Sequence, residues 1–222
     1  MTSARDNILG RVRHALGKRE RDEAGIDAAQ AYIAAHAHGP RPTLPADLVE
    51  RFMSRSRAME STIERIADRS EIPGRVARYL AALQLPAAPA ESAPSAGVCW
   101  PELAALDWRA AGLTMEPRPA TGDDQLAVTG VFCAIAETGT MVILSGAETP
   151  TANILLPETH VAVVPSERIV GGMEDAFALL RREKGALPRA VNLVSGPSRT
   201  GDIEQTIVLG AHGPYRVHIL VV

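Results

Sequence analysis

The chain has 222 residues, a formal net charge of −3 and 4 % aromatic residues. At ~100–200 residues per domain it is long enough to bury a full core as one domain with an extension. The mild negative charge and the scarcity of stacking rings exclude a nucleic-acid reader and give no attraction to an anionic membrane.

The N-terminal MTSARDNILGRVRHALGKRERDE lacks the long apolar core of a signal peptide. Ser3 and Asp6 have capping-box spacing, with aspartate in place of glutamate. Ile8, Leu9, Val12 and Leu16 then share a helical face that Gly17 terminates. The charged GKRERDEAG reads as a solvated linker, and DAAQAYIAAHA as a second helix stopped by Gly39-Pro40. Pro45 opens a third helix with Leu48, Phe52, Met59, Ile63 and Ile66 on one face. Pro73 opens a fourth with Val76, Leu80 and Leu83 inward.

Leu85 to Gly97, LPAAPAESAPSAG, offers little to a core and reads as a linker, after which the pattern changes. GVCW and LTMEPR are short strands around a helical PELAALDWRAAG. LAVTGVFCAIA and TMVILSG are strands joined through ETG, and HVAVVP is a buried strand. SERIVGGMEDAFALLRREKG is a helix whose GGMED marks a delayed start near Gly172. AVNLVSG, TIVLG and YRVHILVV complete the strands. Short continuous apolar strands alternating with helix indicate an α/β layer fold with a largely buried sheet. The pair around ETG and the pair at the C-terminus read as antiparallel, so the sheet is expected to be mixed. Residues 1–94 form a helical extension, part of or packed on the main domain, and residues 95–222 the α/β domain. No stretch approaches the ~18 apolar residues of a membrane span, and a cytoplasmic protein is expected.

The two cysteines, Cys99 and Cys133, form no CxxC pair. The chain alone therefore cannot supply four thiolates to an iron–sulfur cluster or a Cys-rich zinc site. They read as buried thiols in a reducing compartment. No HExxH, P-loop or GxSxG occurs, and no metal or cofactor is expected.

Three polar stretches interrupt the apolar pattern. In AETGT, Gly139 suits a tight hairpin turn, yet Glu137 emerges from an apolar strand, where a carboxylate is costly unless it is paired or faces a cleft. After the strand AVNLV comes SGPSRTGDIE. Gly196 lets backbone N–H groups approach an anion, Ser198 adds a hydroxyl, and Arg199 adds a forked charge. Asp202 and Glu204 read either as the capped first turn of a short helix or as cleft carboxylates. In LGAHGP, two glycines bracket His212 at a strand end, which suits either a turn histidine or a proton-handling group.

These segments carry a resemblance. AETGT (136–140), LLPETHVAVVP (155–165), GPSRTGDIE (196–204) and GAHGP (210–214), in that order, resemble the LUD domain, and ARDNILGRVRHAL resembles the first helix of the lactate-utilisation protein C family. Where that family often carries an aspartate before AETGT, this chain has Val131-Phe132-Cys133 and departs from the pattern. The resemblance implies a three-layer α/β fold like the sugar-phosphate isomerase and CoA-transferase superfamily. It also implies an accessory role in oxidation of L-lactate to pyruvate beside iron–sulfur partner subunits, binding a small carboxylate or other anion, with a homo-oligomer compatible. The alternative is a stand-alone enzyme handling sugar phosphates or acyl-CoA, with Glu137 as base or nucleophile assisted by His212 or Asp202. In either case Thr138, Gly139, Gly196, Ser198, Arg199 and Glu204 would bind substrate.

Overall fold

The computed structural model describes residues 3–17, 22–83, 96–201 and 208–222. The chain divides into two compact units, Met1–Pro42 and Thr43–Val222. The first holds α1 (Ala4–Ala15) and α2 (Glu23–Ala35), neither with a buried residue. The capping box expected at α1 is present: Asp6 N donates to Ser3 Oγ and Ser3 N to Asp6 Oδ2, both at 3.2 Å.

The second unit runs α3 (Leu48–Ala58), β1 (Thr62–Arg65), α4 (Ile72–Ala82), β2 (Ala96–Cys99), β3 (Thr114–Glu116) and β4 (Leu126–Gly130). It continues through β5 (Cys133–Ile135), β6 (Thr140–Leu144), β7 (Thr159–Val164), β8 (Ile169–Val170), α5 (Met173–Lys184) and β9 (Val191–Val194). It ends with β10 (Arg199–Thr200), β11 (Val208–Leu209) and β12 (Arg216–Val221). The main sheet has the order β1-β12-β7-β4-β2-β3 and every pairing in it is parallel. A second sheet, β8-β5-β6-β9, is mixed, with the β5–β6 hairpin antiparallel as its ETG turn indicates.

The layers follow from which side chains are apolar. Ile72, Val76 and Leu80 of α4 pack on Leu126, Val128, Val161, Val163 and Leu220 on one face of the main sheet. Phe52 and Met53 of α3 pack on Ala162, Val164, Val217 and Ile219 on the other, together with Met141 and Ile143 of the second sheet. The far face of that second sheet, Cys133, Ile135, Val142 and Leu144, is covered by Ala176, Leu179 and Leu180 of α5. Strands buried on both faces read as largely apolar runs, which is why β4, β6 and β7 stand out in the sequence. The fold is thus a mixed α/β structure with a parallel central sheet and helices on both sides.

Several segments differ from their sequence reading, among them the start of SERIVGGMED, where Ile169–Val170 is strand β8 and not helix, and the charged GKRERDEAG, within which α2 already begins at Glu23. The third helix ends at Ala58, and Glu60 turns the chain out at φ 65. Ile63 therefore lies in edge strand β1 beside β12, and Ile66 just beyond it; their helical spacing from Phe52 is coincidental, because strand pairing is a tertiary effect that local periodicity does not carry. LAVTGVFCAIA is two strands: the chain leaves the main sheet after Gly130 and enters the second sheet at Cys133. The C-terminal strand is not antiparallel to its predecessor. β11 pairs with β10, while β12, buried along most of its length, takes an interior parallel place between β1 and β7. The delayed start of the helix near Gly172 is as expected. Gly172 is its N-cap and donates to Asp175 Oδ2 at 2.8 Å.

The loop before β4 is pinned by charge. Arg118 grips Asp124 with two parallel bonds of 2.7 and 2.8 Å, and Thr121 adds its N–H and hydroxyl. Buried Asn153 ties the same loop down, donating to Arg118 O and accepting from Ala120 N. The Arg118 guanidinium holds the Asp124 carboxyl well below the usual carboxylate range. A depressed carboxylate stabilises the fold fully above its unfolded value of about 3.9, and that contribution is lost as pH falls towards the folded value. Asp124→Asn is therefore expected to flatten the acid limb of the urea-midpoint profile below about pH 4. A limb unchanged in the variant would remove this group as a source of acid sensitivity.

Candidate functional site

The AETGT turn and the SGPSR segment meet at the C-terminal half of α3. Gly139, at φ 72, closes the hairpin with its N–H on Ile135 O at 2.9 Å. A Cβ placed on Gly139 would lie 2.7 Å from both Arg55 C and Ser56 N, so the turn rests directly on the helix backbone. Ser56 Oγ donates to Gly139 O at 3.5 Å. Gly196, at φ 79, does the same one turn later: a Cβ there would overlap Met59 O. The two segments are joined by hydroxyls, Thr138 Oγ1 to Thr140 Oγ1 and Thr140 Oγ1 to Ser195 Oγ, each 2.7 Å.

Arg199 also turns to α3. Its guanidinium donates to Met59 O at 3.1 Å and pairs with Glu60 at 2.9 Å. Cationic donors are favoured on the exposed carbonyls of a helix C-terminus. Ser198 N donates to Pro214 O and Gly210 N to Ser198 O, both at 2.9 Å, so GPSRT and GAHGP run backbone to backbone. Below them, between the LLPET and GAHGP segments, lies a concavity of about 260 Å³ that includes Leu156, Glu158, Tyr215 and Arg216.

Of the residues singled out in the sequence, Thr138, Gly139, Gly196 and Arg199 thus gather at one end of α3, with Ser198 adjoining GAHGP. Glu137 is half-buried. Its N–H bonds Gly171 O at 3.0 Å, and its carboxylate has no hydrogen-bond or ion-pair partner among the described residues. His212 is exposed, and no hydrogen bond or ion pair links it to Glu137 or Arg199 among the described residues. Asp202 and Glu204 lie outside the described residues. Cys99 and Cys133 are both buried, and burial pushes each thiol up to about 11.

The sheet topology marks a second place. From β2 the chain runs outward to β3, returns to β4 on the other side of β2, and continues away to β7 and β12. The direction of winding reverses between β2 and β4, and in open α/β sheets ligands lie in the crevice off the carboxyl ends of such a pair. A cavity of about 390 Å³ is found there, lined by Trp100 and Glu102 after β2, Val131 and Phe132 after β4, Ser145 after β6, and Lys184 at the end of α5. That volume lies within the usual range for small-molecule sites.

Its walls are fixed. Arg168 donates to Phe132 O at 2.8 Å, stacks 4.8 Å over the Phe132 ring and is held by Glu183. Ala190 N donates to Ser145 Oγ at 2.8 Å, and Thr149 Oγ1 donates to Leu144 O at 2.7 Å. The Glu102 carboxylate lies against Gly130, where a Cβ would overlap it. Glu102 and Lys184 are exposed and have no hydrogen-bond or ion-pair partner among the described residues. Trp100 is 4 % exposed, and its indole N–H is buried with no acceptor among the described residues. These residues did not stand out in the sequence. The available signal was an aromatic and an acid, Trp100-Pro101-Glu102, directly after a buried strand. Its meaning depends on β4 being the neighbour of β2.

Residues 101–222 match the family model of the LUD domain, and this segment contains both the motif cluster and most of the crevice. The chain is 41 % identical over 91 residues to lactate utilization protein C of Geobacillus kaustophilus, covering 40 % of this chain and 38 % of that protein. It is 36 % identical over 100 residues to lactate utilization protein C of Bacillus licheniformis, covering 44 % and 42 %. The matched part spans about two fifths of the length of these relatives. A crystal structure of a DUF162 family protein from Deinococcus radiodurans superposes with a TM-score of 0.54 at 21 % identity, over 81 % of this chain and 99 % of that one, a likeness of fold. With more than half of its length matched by the family model, the chain belongs to the LUD domain family.

Proposed function

We propose that this chain serves lactate utilisation as an accessory subunit in the cytoplasm, binding a small carboxylate beside partner proteins that carry iron–sulfur clusters and perform the electron transfer. The pathway is suggested by the names of its relatives, lactate utilization protein C. The binding role rests on one observation. The crevice between β2 and β4 presents a lysine ammonium and a carboxylate that no internal partner neutralises among the described residues. Groups left unpaired at the rim of a largely apolar cavity are suited to fix the orientation of a polar ligand. Arg199, paired with Glu60, holds the motif cluster to α3 and would bind an anion only by leaving that carboxylate.

A second reading keeps Glu137 as base or nucleophile of a stand-alone enzyme acting on sugar phosphates or acyl-CoA. It is favoured by the half-buried, unpartnered state of that carboxylate. Deletion and reconstitution separate the two. The accessory role predicts loss of growth on L-lactate without the chain, no turnover by the purified chain alone, and lactate oxidation restored on mixing with its cluster-bearing partners. Turnover of an acyl-CoA or sugar phosphate by the isolated chain, abolished in Glu137→Gln, would replace it with the second reading.

A further inference from the structure

We propose that the crevice between β2 and β4 is a binding site selective for 2-hydroxy carboxylates over 2-oxo carboxylates, with room for a side chain larger than the methyl of lactate. This rests on the small-carboxylate reading above and names the site and its selectivity. The polar inventory is asymmetric. Lys184 supplies ammonium donors at the end of α5. Ser145 Oγ already accepts from Ala190 N, so its own proton is free to donate. These groups suit the carboxylate of a ligand. Glu102 is an acceptor only, and Thr149 Oγ1, having given its proton to Leu144 O, also offers lone pairs.

Acceptors of this kind need a donor from the ligand. A 2-hydroxyl supplies one, whereas a 2-oxo oxygen sets lone pairs against lone pairs and leaves both sides unsatisfied. Gly130 belongs to the same arrangement, since the absence of its side chain makes space for the Glu102 carboxylate at the end of β4. The size of the cavity extends the argument. At ~30 Å³ per water, 390 Å³ equals the space of about a dozen waters, more than a three-carbon acid fills. The remaining wall is Trp100, Val131, Phe132 and Leu144, which suits an alkyl or aryl group.

Calorimetric titration of the full chain with L-lactate, pyruvate, 3-phenyllactate and phenylpyruvate tests the proposal. Each hydroxy acid is expected to bind on the order of tenfold tighter than its oxo partner, and each added buried methylene to gain about fourfold. Lys184→Met should weaken all four ligands. Glu102→Gln should cut the hydroxy acids' advantage, and Gly130→Ala, which displaces the flexible Glu102 carboxylate, should do the same with an unchanged melting temperature. Equal affinity for hydroxy and oxo acids, affinities indifferent to Lys184→Met, or no binding of any of the four would overturn it. A chain needed for growth on lactate that binds none of them would leave the accessory role standing without this site. Selective binding by a chain dispensable for that growth would support the site and remove the accessory role.

Discussion

Gly196→Ala is expected to destabilise the protein by roughly 2–5 kcal/mol, and Gly139→Ala by a similar amount. Two costs add at each position. A φ of 79 or 72 places an L side chain in the left-handed region, about 1–2 kcal/mol. The new Cβ then meets backbone atoms, Met59 O at the C-cap of α3 in one case and Arg55 C and Ser56 N within α3 in the other, and backbone cannot rotate aside as a side chain would. Gly112 provides the control. It has φ 74, and nothing lies within 4 Å of the place a Cβ would take, so Gly112→Ala should cost the conformational part alone. Urea midpoints at constant slope measure all three. Equal losses for Gly112, Gly139 and Gly196 would show that the close approach to α3 carries no energy.

The same glycines mark the limit of the sequence. A glycine that admits a ligand and a glycine that admits a helix look identical in one dimension, and both Gly139 and Gly196 prove to face the backbone of α3. Features set by local chemistry were legible: the Ser3–Asp6 cap, Pro73 in the first turn of α4, the late start of α5 at Gly172, and the β-branched apolar run of β7 after His160. Features set by pairing were not. β1 shows itself only through β12, which follows it by more than 150 residues, and the end of α3 at Ala58 is visible only once β1 is known. The crevice shares this origin, since Trp100 and Phe132 become neighbours only when β4 returns to the side of β2.

His160→Gln should remove most of the protein's loss of stability between pH 6.5 and pH 4. His160 is fully buried on β7, and burial lowers it to about 4. Its Nε2 lies 2.8 Å from Thr129 Oγ1. Its Nδ1 has no partner among the described residues, so a second ring proton would find no acceptor. The unfolded imidazole titrates near 6.5, so in this window the unfolded chain binds more protons and stability rises with pH. The contribution is complete above about 6.5 and falls by about 3 kcal/mol as pH drops to 4. His218 acts in the same direction, lowered by burial though opposed by Glu64, and remains in the variant. The difference between the two pH profiles therefore isolates His160. Parallel profiles would contradict the assignment, as would the His160 imidazole itself titrating near 6.5 by NMR in the folded wild-type chain.

The motif cluster at α3 and the crevice between β2 and β4 are distinct places for a ligand, and the two tryptophans distinguish them. Trp108 donates its indole N–H to Leu103 O at 2.8 Å, while the indole N–H of Trp100, at the crevice wall, has no acceptor among the described residues. Titration of the ¹⁵N-labelled chain with L-lactate follows both indole resonances together with the backbone amides. The predicted result is a saturable shift of Trp100, with Phe132, Ser145 and Gly146, while Trp108 stays in place. Shifts confined to Thr138, Gly196, Ser198 and Arg199, with Trp100 unmoved, would contradict a ligand in the crevice and return the site to the motifs at the end of α3.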